Sequence, residues 1–195
     1  MSNKDLLMNL SFEEVMAEVD SMPTLKQSYS NRKNTVDRKD SYLEFSIIQN
    51  FGKLSNRKNA ATFAIVDWRG YKRYDLRAWN EDYTVPFKGL SFDNSEISVL
   101  FEALSNYTPQ TYRTPLHTID MGKTKANVYH TVCELSSSTL KEVLWTKLVT
   151  VVDWGYGQKY DFRKWTENFE RCSKGICLTQ EELDALVEIL ETLDF

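Results

Sequence analysis

Two stretches of the chain alternate polar and apolar residues in the same manner. In residues 72–79, Tyr74, Leu76 and Ala78 fall on one side of an extended backbone, and Arg73, Asp75, Arg77 and Trp79 on the other. In residues 159–165, Tyr160 and Phe162 are set against Lys159, Asp161, Arg163 and Trp165. Strand-like runs precede both (60–68 and 145–154), joined to them by Gly-containing turns, Arg69-Gly70 and Gly155-Tyr156-Gly157. That pattern predicts two hairpins. Residues 45–54 and 128–135 read as first strands, and 88–92 and 174–178 as short fourth strands. The apolar period then changes. Ile97, Leu100, Phe101 and Leu104 recur at helical spacing, as do Leu183, Leu186, Val187 and Leu190. Asp93 with Glu96, and Thr179 with Glu182, predict capping boxes. The acidic residues just inside both helix starts suit the positive end of the helix dipole.

The two stretches are copies of one another. Residues 67–104 align with 153–190 without a gap at an offset of 86, and 13 of the 38 positions are identical. The shared residues include Asp67, Trp68, Asp75, Arg77, Trp79, Lys88, Gly89 and Glu96. The fold expected is therefore α+β, built from two tandem β-β-β-β-α units over 43–107 and 128–195. Residues 1–22 read as an N-terminal amphipathic helix, 23–42 as a flexible polar segment, and 108–127 as a linker carrying Pro109 and Pro115.

Composition adds exclusions. The 195 residues are 42% hydrophobic and 27% charged, a globular mixture. No apolar run approaches the roughly 18 residues of a membrane span, and residues 1–6 do not open a signal peptide. Three cysteines (Cys133, Cys172, Cys177) do not suggest a disulfide framework, which points to a reducing cytoplasm. The net charge of −4 hides a segregation. Residues 53–88 hold 8 basic and 4 acidic side chains, and 141–174 hold 7 and 5, whereas 179–195 hold six acidic and none basic. Binding depends on such local fields rather than on their sum.

An open sheet face that interleaves Arg, Lys and Trp has a physical use. Aromatic rings stack on the exposed bases of a single strand for about 1–3 kcal/mol each, and cations neutralise its phosphates. Duplex hides those base faces, so single strands are preferred. Two plainer roles compete. Paired tryptophans on half-buried strands serve as core, and Asp75–Arg77 and Asp161–Arg163 serve as cross-strand ion pairs that help set register. Metal binding is disfavoured because His130/Cys133 and Cys172/Cys177 lack tight zinc spacings and the first copy lacks the set. Catalysis is disfavoured too: the two histidines lie in no motif, and no phosphate loop or nucleophile elbow appears. No cofactor is expected. The rival reading is a protein-interaction scaffold, its partner docking on Phe12, Val15, Met16 and Val19 of the N-terminal helix. That face packing on its own domain is the alternative.

The run Asp75-Leu-Arg-Ala-Trp79, Lys88-Gly-Leu-Ser-Phe92 and a helix, repeated as Asp161-Phe-Arg-Lys-Trp165, Lys174-Gly-Ile-Cys-Leu178 and a helix, resembles a known family. It is similar to the C-terminal domain of the transcriptional coactivator positive cofactor four and its bacterial YdbC-type members. The resemblance implies a whirly-like unit that pairs with a second and binds single-stranded DNA across its sheets, in transcription, replication or repair. It implies DNA contacts at Arg77, Trp79 and Lys88 and at Arg163, Trp165 and Lys174, with Trp68 and Trp154 as further aromatics. Arg73 and Lys159 join them from the strand pattern. The family has one unit per chain; two joined here imply a monomeric intramolecular pseudo-dimer, with single-stranded DNA, or alternatively RNA, as partner. The second copy is closer to the family pattern and is expected to dominate.

Overall fold

The computed structural model describes residues 45–120 and 125–193. The N-terminal helix expected over 1–22 and the polar segment over 23–42 lie outside the described residues. Those described are α+β, with two antiparallel sheets and two helices. The first sheet runs β1 (Phe45–Lys53), β2 (Ala61–Trp68), β3 (Tyr71–Trp79), β4 (Pro86–Phe92), each strand beside the next. Helix α1 (Asn94–Ser105) follows. The second sheet runs β5 (His117–Asp120), β6 (Lys125–Leu140), β7 (Val143–Asp153), β8 (Gln158–Thr166), β9 (Ile176–Leu178), and α2 (Gln180–Glu191) closes it. No helix among the described residues is long and apolar enough to cross a membrane.

The alternation assigns the faces as the sequence predicts. Phe63, Leu76, Leu90 and Phe92 of the first sheet and Val149, Phe162 and Leu178 of the second enter one hydrophobic cluster. The helix stripes Ile97, Leu100, Leu104 and Leu183, Leu186, Leu190 enter the same cluster. Each such side chain removed from water contributes about 1.5–3 kcal/mol. Both sheets and both helices thus share a single core.

Both capping boxes form: Asp93 with Glu96, and Thr179 with Glu182. Each of these glutamates also receives groups from the other copy. Lys147 on β7 places its Nζ 2.6 and 2.8 Å from the two Glu96 carboxylate oxygens, and Ser136 donates to Glu96 as well. In return, Arg57 and Ser55 from the β1–β2 connection donate to Glu182. Glu96 and Glu182 are identical positions of the repeat. A carboxylate at a helix N-terminus faces the dipole and unpaired N–H groups; here it also pairs with a cation from the opposite unit. Glu182 is held below the ordinary carboxylate range: burial works against the charge, and the bonds from Arg57, the Thr179 N–H and Ser55 outweigh it.

The region 108–127 is more than a linker. It contains β5 and the first residues of β6, and the Leu116 N–H donates to the Val128 carbonyl at 2.8 Å just before β5. Tyr112 stacks on His130 (5.0 Å, 16°) and its N–H donates to Gln158 Oε1 at 3.0 Å. Only Ile119 of β5 is half-buried, so its sequence carries almost no alternation. The strand exists because it satisfies the outer backbone groups of β6. β6 itself is longer than the expected 128–135, its hairpin with β7 closing at Lys141–Glu142, both in the left-handed region (φ 49° and 64°).

Candidate nucleic-acid interface

On the face of each sheet away from the helices, the strands curl around their own tryptophans. Trp68 pairs with Tyr71, eight residues along β3 from Trp79, a contour of roughly 26 Å in an extended strand. Their rings nevertheless stack at 6.3 Å and 17°. Trp154 and Trp165 stack in the same way at 6.1 Å and 11°. Register shifts in β1, between Arg77 and Trp79, and along β6 supply the bends.

The repeated Asp-x-Arg lies inside this curl. Arg77 is fully buried; its Nε bonds Asp75, and its Nη2 lies 3.0 Å from Asp75 Oδ2. Its Nη1 donates to the Phe87 carbonyl at 3.2 Å, and its Cζ stands 4.9 Å from the Trp68 ring centroid. Arg163 repeats the pattern: Nε bonds Asp161, Nη2 lies 2.7 Å from Asp161 Oδ2, and Nη1 donates to the Ser173 carbonyl at 3.3 Å. Burial opposes its charge, but the facing Asp161 carboxylate outweighs this and raises the guanidinium above its usual pKa. Ser91 Oγ donates to Asp75 at 2.6 Å, where the second copy has Cys177 Sγ at 3.0 Å from Asp161. Burial, and then the Asp161 charge, push that thiol up to about 12.

The same crossing accounts for the repeated Lys-Gly. A Cβ on Gly89 would lie 2.0 Å from Arg77 Cβ, and one on Gly175 would lie 2.5 Å from Arg163 Cβ. The arginine stem passes where a side chain would begin, so only glycine fits.

The openness expected of this face is corrected. Trp68, Trp79 and Trp165 are 1%, 2% and 1% exposed, and Arg77 is buried with them. Phe45 lies 5.2 Å from both Trp68 and Trp79, and Tyr83 lies 6.3 Å from Trp79. Phe169, which aligns with Tyr83, meets Trp165 edge-on at 5.2 Å. The curl gives the rings one another as neighbours, so they fill the face they line. In this conformation none of these three indoles offers a ring to a base. The buried Nε1 atoms of all three have no hydrogen-bond partner.

The remaining candidates divide. Trp154 is half-buried: its Nε1 donates to Asp161 Oδ2 at 2.9 Å, and Arg163 Cζ stands 4.3 Å over its ring. Arg73, Lys159 and Lys174 are half-buried. Lys174 precedes β9 rather than opening it. Lys88 is exposed, in the bulge between the Arg77–Gly89 and Trp79–Pro86 pairs, outside the Arg/Trp cluster. The sequence reading did not single out the tyrosines where β2 meets β3 and β7 meets β8. Tyr156 is 86% exposed and Tyr71 48%. Their position in or directly after the Gly-containing turns was the available signal. Among the described residues no three metal-ligating side chains converge.

No family model, curated protein or solved structure matches the chain.

Proposed function

We propose that the chain binds single-stranded nucleic acid, DNA in the first instance, as an intramolecular pseudo-dimer of two whirly-like β-β-β-β-α units. The observation that carries the reading is Trp154, a half-buried indole with a guanidinium over its ring, at the rim of a curled sheet. Arg163 and the stacked Trp165 hold that ring in place, its exposed part is what a base can reach, and Lys159 and Lys174 of the same half supply charge for phosphates. The buried Trp165 acts behind it as a backing ring, and Trp68, Trp79 and Arg77 act as framework. The shared core and the exchange of Lys147 and Arg57 between the capping glutamates favour pairing of the units within one chain. The resemblance to positive cofactor four rests on the motif residues alone and points the same way.

Intrinsic fluorescence tests this. Adding a deoxythymidylate oligomer to the full chain quenches tryptophan emission, and Trp154→Phe abolishes most of the quench while circular dichroism stays unchanged. A quench that survives Trp154→Phe, or none in the wild type, refutes the assignment.

A further inference from the structure

We propose that the second half alone holds the strand, because Trp154 keeps an exposed part where Phe45 seals its counterpart Trp68 in the first, and that Tyr156 is an additional stacking platform beside it. This rests on the single-strand reading above.

The equivalence follows from register. Asp67 and Asp153 are the same position of the repeat; Ser46 pairs with the first and Asn127 with the second. One residue earlier stand Phe45 and Ala126, which therefore occupy matching places on β1 and β6. The Phe45 ring packs 5.2 Å from Trp68 and from Trp79 and seals both. Ala126 brings no ring to Trp154; it is buried beside Ile119 of β5 in the same cluster, and Trp154 stays half-buried. One cover is common to both halves, while β5, with Ile119, is added in the second alone. Tyr83 and Phe169 align, share a left-handed backbone (φ 57° and 59°), and sit against Trp79 and Trp165 respectively.

The open half also fixes its aromatics. The Asp161 bond to Nε1 pins the Trp154 ring. One residue before it, Asp153 Oδ1 accepts from the Gly155 and Tyr156 N–H groups at 2.7 and 2.9 Å. Gly155 and Gly157, at φ 94° and 84°, allow that turn. Tyr156 is thus a ring in water on a braced backbone, which loses little freedom when a base stacks on it. In the first half Tyr71 borders a sealed face and has no open indole to continue onto.

Binding of a labelled deoxythymidylate oligomer to the full chain, followed by anisotropy, tests the proposal with Tyr156→Ala, Tyr71→Ala and Ala126→Phe. Tyr156→Ala raises Kd by about 5- to 150-fold, the range for one stacked base, and Tyr71→Ala leaves Kd unchanged. Ala126→Phe, if folded by circular dichroism, weakens binding as Tyr156→Ala does; if it does not fold, the two tyrosine variants decide. Equal effects of the two tyrosine variants, or wild-type affinity in Tyr156→Ala or in a folded Ala126→Phe, overturn the proposal while leaving single-strand binding standing. No binding by the wild-type chain overturns the reading beneath it and the proposal together.

Discussion

Replacing Gly89 by alanine adds one methyl group where the protein has no room for it. The new Cβ would stand 2.0 Å from Arg77 Cβ, 2.6 Å from Arg77 Cα and 2.5 Å from the Leu76 carbonyl oxygen. Nonbonded carbons sit at about 3.5–4.0 Å, so β3 and β4 must separate by more than an ångström at this point. No flexible side-chain end is available to yield. Overpacking of a well-filled interior costs about 1–3 kcal/mol. Displacing Arg77 also disturbs its bonds to Asp75 and the Phe87 carbonyl inside a buried cluster. A total of about 3 kcal/mol or more follows, which lowers Tm by roughly 6–12 °C for a chain of this size. Gly155→Ala is the control. Its φ is 94° but nothing lies within 4 Å of the added Cβ, so only backbone strain applies, at about 1 kcal/mol. Thermal unfolding of both variants reads the difference. A Gly89→Ala loss no larger than that of Gly155→Ala would refute the claim that the arginine crossing dictates the Lys-Gly motif.

Lys147→Met leaves the Glu96 carboxylate buried without its cation and costs about 3–5 kcal/mol by urea titration; Arg57→Ala costs less than about 1 kcal/mol, since Arg57 is half exposed and Glu182 keeps Ser55 and its own cap. The depressed carboxyls of Glu182 and Asp93 stabilise the fold fully above the unfolded carboxylate range, near pH 4, and that stability is lost as pH falls through their lower folded values. A Tm that is flat from pH 7 to 5 and then declines checks this; a decline beginning near pH 6 contradicts it. Burial pushes the Cys133 thiol up to about 11 and Cys177 to about 12, so both resist a thiol reagent at pH 7.5 until the chain is unfolded, as peptide mapping after labelling will show.

The period-2 and period-3.6 runs made β2, β3, α1 and α2 legible to within a residue or two at most ends, and Asp93/Glu96 and Thr179/Glu182 fixed both helix starts. β5 was not legible, because its stability comes from pairing with β6 and not from its own residues. The face of Trp68, Trp79 and Trp165 could be read from alternation, but its closure could not. Alternation says which side a ring leaves the strand. Curl decides whether rings eight residues apart meet, and that depends on bulges that leave no mark in a periodic pattern. The plainer reading of Asp75–Arg77 and Asp161–Arg163 as ion pairs holds, but each pair lies within one strand and not across two. The exchange of Lys147 and Arg57 between copies was hidden for a different reason. It joins residues that the gapless repeat does not align, so neither looked special beside its own neighbours.

Titration of the full chain with single-stranded DNA, single-stranded RNA and duplex DNA of equal length, each at low and high salt, reads single-strand binding directly. Single-stranded DNA is expected to bind more tightly than duplex, with log affinity falling against log salt by about 0.7 per phosphate neutralised. Equal affinity for duplex, or an affinity indifferent to salt, would contradict it.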